Sequence, residues 1–116
     1  MVEFGNLANF NEQDLQEFFK ALQPDLFGET CGTASGDNNG DIRASVEANL
    51  DVQYIMATGV YVNTSTYKIT ASERGEDIMD EFLDYAYIVS NQDDPALGHS
   101  ISYGEYGGSN DIETDH

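Results

Sequence analysis

The sequence predicts an α/β fold, a partial parallel sheet with flanking helices, truncated at both ends. Three segments carry apolar residues at helical spacing, and short β-branched or aromatic runs stand among them. Their order, helix, helix, strand, helix, strand, is part of the alternation that builds parallel sheets. Too few strands are legible to cover three apolar helices, and the first helix has no strand before it. Hence the sheet reads as incomplete.

The first predicted helix runs from Asn11 to Leu22. Asn11 can cap it, Glu12 and Asp14 suit its positive end, and Leu15, Phe18, Phe19 and Leu22 form an apolar stripe. Pro24 stops it. Gly28 to Asp41, GETCGTASGDNNGD, reads as loop. A second helix spans about Ser45 to Thr58, with Val46, Leu50, Tyr54 and Ala57 at helical spacing and Gly59 at its end. Val60-Tyr61-Val62 reads as a short strand, and Tyr67 to Thr70 as extended chain. A third helix covers about Glu76 to Ser90, with Ile78, Phe82, Tyr85 and Val89 inward. Asp93-Asp94-Pro95 makes a turn, and His99 to Tyr103 is strand-like up to Gly104. Residues 105–116 form a loose, acidic tail of the single domain 1–116.

Composition narrows the function. The chain has 22 acidic residues against four Lys plus Arg, a net charge of −18. It repels phosphate backbones and anionic membranes, which excludes nucleic acid and membrane surfaces as expected partners. Protonating carboxylates relieves that self-repulsion, so an acid working pH is expected. Seven Tyr and six Phe supply a modest core. One cysteine, Cys31, permits no internal disulfide. No apolar run approaches the ~18 residues of a membrane span. The opening MVEFGNLANF has no basic or apolar leader region, so no signal peptide is read there. Asn63-Thr64-Ser65 is a glycosylation triplet, meaningful only in the secretory pathway.

Three motifs fall to simpler readings. Asp37-Asn38-Asn39-Gly40-Asp41 starts like a calcium loop, but Ile42 stands where Gly is needed and Ala48 where the closing Glu belongs. Gly32-Thr33-Ala34-Ser35-Gly36 lacks the strand that leads into a nucleophile elbow. His99 and His116 have no His or Cys at metal spacing, so no metal site is expected. Glu47 and Asp51 differ from these. Four apart on a helix, they share one face, and a partly buried pair of this kind shares a proton at acid pH. In so acidic a chain, spacing alone leaves them as two wet surface acids.

The surrounding residues carry more. Val46-Glu47-Ala48-Asn49-Leu50-Asp51-Val52-Gln53-Tyr54 resembles the catalytic helix of the sedolisins, the serine-carboxyl peptidases that include tripeptidyl-peptidases. Asn6-Leu7-Ala8-Asn9-Phe10, with Asp14-Leu15 and Phe18-Phe19, resembles the segment after that family's first core strand. Ser100-Ile101-Ser102-Tyr103-Gly104-Glu105 resembles its SYG strand, and Phe82-Leu83 to Ser90-Asn91 fits the helix between.

The resemblance implies a subtilisin-like fold and peptide-bond hydrolysis by serine acyl transfer at acid pH. It makes Glu47 the general base, Asp51 its hydrogen-bonded helper, and Ser102, Tyr103 and Gly104 the lining of the substrate cleft. It implies a peptide or unfolded protein as substrate and an extracellular or lysosome-like location. The family's nucleophile motif (GTSxS), its oxyanion motif (SGD) and its calcium site all lie beyond SYG, so no cofactor is expected within these 116 residues. Ser35 and Asp37 imitate both motifs but precede Glu47, so neither takes a role. The expectation is a peptidase piece inactive by itself. The alternative is a non-catalytic, acidic α/β fragment that binds peptide or regulates a partner.

Overall fold

A computed structural model describes residues 1–5, 8–38, 44–70 and 78–103. Gly104, the tail at 105–116 and the expected start of the third helix at 76–77 lie outside the described residues, as does the Ile78 side chain, expected to face inward. Strand β1 (Val2–Phe4) leads into helix α1 (Glu12–Leu22) and a 3-10 turn (Pro24–Leu26). Strand β2 (Gly32–Ser35), helix α2 (Val46–Thr58), strand β3 (Ser65–Ile69) and helix α3 (Ile78–Ser90) follow. The sheet is parallel with order β1-β3-β2. Val2 also bridges Ile101 in parallel, its amide donating to the Ser100 carbonyl at 2.9 Å, so the 100–101 segment flanks β1 on its other side.

The α/β expectation holds, and four local ones are corrected. A strand does precede α1: Val2 to Phe4 is wholly buried, and a strand covered on both faces has no alternation to reveal it. Gly28 to Asp41 is not all loop, because Gly32 to Ser35 pairs with β3 despite its small polar residues. Val60-Tyr61-Val62 is a turn in which the Val62 amide donates to the Gly59 carbonyl at 2.9 Å. Of the segment from His99 to Tyr103, only Ile101 makes a strand-type bridge.

The helices start where their caps dictate. Asn11 Oδ1 accepts the Asp14 amide at 2.9 Å, and Ser45 Oγ accepts the Ala48 amide at 3.0 Å. One core lies between α1 and α2, with Phe10, Leu15, Phe19, Ala48, Val52 and Met56 buried. A second joins Val2, Phe4, Tyr67 and Ile69 to the inward face of α3, where Phe82, Tyr85, Ile88 and Val89 pack. Leu22 is exposed, contrary to its place in the α1 stripe.

The larger correction is the buried face of α2. Val46, Leu50 and Tyr54 are exposed, while Ala48, Val52 and Met56 are buried. Two residues are about 200° of helix, so the core lies on nearly the opposite side from the predicted stripe. Both sides are apolar, and periodicity cannot choose between them. This rotation sets the place of the two acids. Asp51 lies at the border of the core, half-buried, and Glu47 is exposed.

Candidate active site

Glu3 is the deepest acid among the described residues. It sits in β1 between Val2 and Phe4 and has no exposed surface. Strand alternation turns Val2 and Phe4 into the α3-side core, and so points Glu3 to the opposite face, the side of α1 and α2. In register, Glu3 stands opposite Lys68 of β3. The Lys68 ammonium is committed elsewhere, donating to Asn9 Oδ1 at 2.6 Å and to the Asp37 carbonyl at 2.9 Å.

What Glu3 does receive is a hydrogen bond from the Tyr103 hydroxyl to Oε2, at 3.0 Å. Its other oxygen, Oε1, is buried with no hydrogen-bond partner among the described residues. Burial pushes Glu3 up from 4.5 to about 7. The Tyr103 bond opposes that rise, and the negative charges of Asp51 and Glu47 reinforce it. Tyr103 itself is raised, first by burial and then by the charge of Glu3.

The second buried oxygen without a partner is Asp51 Oδ2. Native structures rarely leave a buried carboxylate oxygen bare, and the exceptions call for a reason. Here two bare oxygens belong to two acids, and the charge of Asp51 acts on Glu3. Glu47 stands in the first turn of α2, where the exposed amides favour an anion.

Asn49, between the two α2 acids, fixes the helix. Its Oδ1 accepts the Asn11 amide at 2.7 Å, and its Nδ2 donates to Asp14 Oδ2 at 3.0 Å. The start of α2 is thereby tied to the cap of α1.

Glu3 is thus joined to Tyr103 by a hydrogen bond and to Asp51 and Glu47 by their charges, while the Tyr103 ring packs on Phe4. Ser102 is exposed beside Tyr103, and Gly104 lies outside the described residues. Sequence reasoning missed Glu3. A lone acid inside a buried apolar triplet, Val2-Glu3-Phe4, was the signal available. Among the described residues no group of three or more His, Cys, Asp or Glu could hold a metal ion.

Comparison with known proteins gives a likeness in sequence. The chain is 29% identical over 96 residues to tripeptidyl-peptidase 1 of Macaca fascicularis, a span covering 83% of the chain. The Bos taurus and Homo sapiens proteins of the same name match over the same length at 29% and 28% identity. The chain resembles the sedolisins. Its likeness is thus to a peptidase family, and it spans 16% of the length of these relatives. No family model matches the chain, and no solved structure matches it. No described helix is long and apolar enough to cross a membrane.

Proposed function

We propose that this chain is the base-bearing part of a serine-type acid peptidase with a subtilisin-like fold. Glu47 acts as general base toward a serine hydroxyl, and Asp51 holds or passes the proton behind it. An acyl-enzyme forms, and water releases it. The substrate is a peptide or unfolded protein, and the setting is lysosome-like or extracellular.

The single observation that carries this reading is the graded burial of three acids. Glu47 is exposed, Asp51 half-buried, and Glu3 wholly buried. A base must meet substrate, so the exposed member is the one suited to it. Asp51 Oδ2 and Glu3 Oε1 stand behind it without partners, positions a proton can occupy. Carboxylates serve as bases at a pH where an imidazole is already protonated. Ser102, Tyr103 and Gly104 would line the cleft, the Tyr103 hydroxyl also donating to Glu3.

These 116 residues contain no GTSxS motif after Ser102-Tyr103-Gly104, so the nucleophile would come from other residues of a longer protein. The test compares the isolated chain with such a longer protein on an unfolded substrate at about pH 4, where carboxyl groups half-ionise. The isolated chain is expected to be inactive, and the longer protein to show cleavage blocked by a serine-directed inhibitor. Cleavage by the isolated chain, or none by the longer protein, would count against the proposal. The exposed 100–102 segment beside β1 supports a second reading, capture of an extended peptide at a sheet edge. Peptide binding that survives neutralising both Glu47 and Asp51 would favour it.

A further inference from the structure

A helix at a protein surface normally turns one apolar stripe inward and polar residues outward. Helix α3 departs from that pattern. Its inward side packs Phe82, Tyr85, Ile88 and Val89 against the sheet. Its outward side is apolar as well, with Met79, Leu83 and Tyr87 59%, 66% and 72% exposed. At about 100° per residue, positions four apart drift by only about 40°, so these three form one stripe. Ala86 and Ser90 fall in the same arc and are exposed too. None of the exposed α3 residues is charged, in a chain with 22 acids. A continuous uncharged face on so acidic a chain has the composition of a contact surface.

The edges of the stripe describe what fits it. Asp80 and Asp84 each follow a stripe residue by one position, which puts both on the same edge, half-buried. The other edge is Phe82 and Val89, which turn into the core. No Lys or Arg stands on α3. The surface is therefore apolar along its middle and negative along one side. A second copy fits it poorly, because two chains of net charge −18 repel each other. Charge complementarity calls for a cationic occupant, and apolar residues at i, i+4 and i+8 are the pattern by which helices pack on one another. Helix α2 turns a similar order outward, with Leu50 and Tyr54 beside Asp51. There the Phe18 ring lies 5.2 Å from that of Tyr54, so α1 already covers part of the stripe.

We propose that the outward face of α3 docks an amphipathic helix of another protein, one with an apolar stripe and Lys or Arg along one edge. Leu83 takes the centre of the contact, between Met79 and Tyr87. Asp80 and Asp84 pair with the partner's cations at its rim. The desolvated centre of such a contact supplies most of the affinity, while rim charges set the rate of encounter and the salt dependence. The proposed peptidase chemistry uses none of these residues.

The probe is a synthetic peptide of about 18 residues, long enough to be helical, with Leu at i, i+3, i+4 and i+7 and Lys along one edge. Its binding to the whole chain is measured by calorimetry, beside a control peptide with Glu in place of Lys. The Lys peptide is expected to bind and the Glu peptide not to. Leu83→Asp adds a negative charge, yet should raise Kd by roughly tenfold or more. Leu50→Asp on α2 should leave Kd within about twofold. Neutralising Asp80 and Asp84 together to Asn should weaken the dependence of Kd on salt. No binding of the Lys peptide, or equal binding of the Glu peptide, would overturn the proposal. So would unchanged Kd in Leu83→Asp, which reduces the effect to general charge attraction, or an equal loss in Leu50→Asp. A wild-type dimer in sedimentation that Leu83→Asp dissolves would make the occupant a second copy instead. Amide shifts in the wild type, which need no variant to fold, should change on binding at 79–90; changes confined to other segments would move the site off α3. None of these readouts depends on peptidase activity, so failure here is distinct from failure of the proposed function.

Discussion

The phenol of Tyr103 donates a 3.0 Å hydrogen bond to Oε2 of Glu3, a residue 100 positions earlier in the chain. That bond ties the segment after Ile101 to the buried face of β1. Glu3 Oε1 is left buried without a hydrogen-bond partner among the described residues, and the charges of Asp51 and Glu47 act on Glu3. A carboxylate so placed must affect stability as well as chemistry, and its effect has a definite sign.

Burial raises Glu3 from 4.5 to about 7, so between those values the folded chain holds a proton that the unfolded chain has lost. A group bound more tightly by the folded state makes stability fall as pH rises through that window. Its contribution is full below the lower value and gone above the upper one. Thermal unfolding from about pH 5 to about pH 8 should therefore show falling Tm, the Glu3 part amounting to at most about 3 kcal/mol. Glu3→Gln, which keeps an acceptor for Tyr103, should flatten the fall.

Tyr103→Phe removes the donor and leaves both Glu3 oxygens unpartnered. The cost should be roughly 1–3 kcal/mol. It should be larger at about pH 8 than at about pH 5, because the lost bond favoured the ionised carboxylate. Urea denaturation at both pH values checks this.

The corrected face of α2 gives a pair of opposite outcomes. Val52→Ala, at a fully buried position, should cost roughly 2–3 kcal/mol. Leu50→Ala, at a site 48% exposed, should cost well under about 1 kcal/mol. Chemical denaturation of both variants distinguishes the two faces directly.

Gly36 follows β2 with φ +72°, and a Cβ there would meet the Lys68 carbonyl at 2.7 Å. Gly36→Ala should destabilise by roughly 1–3 kcal/mol, through both the left-handed backbone and the clash. The same measurement applies.

Much of the frame was legible because its signals are local. Asn11 and Ser45 cap helices where capping chemistry places them, and Phe82, Tyr85 and Val89 face inward from α3 as their spacing predicts. The misses have physical causes. Val2-Glu3-Phe4 is a strand buried on both faces with no alternation, and Gly32 to Ser35 is held by its neighbour's backbone rather than by its own propensity. Val60-Tyr61-Val62 has strand-type side chains but follows the Gly59 helix stop too closely to extend. On α2, apolar residues on both sides hid which one meets the core. At the candidate site, Glu47 and Asp51 were singled out by the residues around them. Glu3 entered only through its long-range bond to Tyr103.

The proposed role of Glu47 as the base of an acid peptidase is tested most directly by one comparison. A protein that carries these residues together with a GTSxS nucleophile motif would be assayed on an unfolded substrate at about pH 4, as wild type and as Glu47→Gln. Loss of a general base should lower kcat by about 100-fold or more with KM nearly unchanged. A Glu47→Gln enzyme that keeps kcat within about twofold of wild type would contradict the assignment.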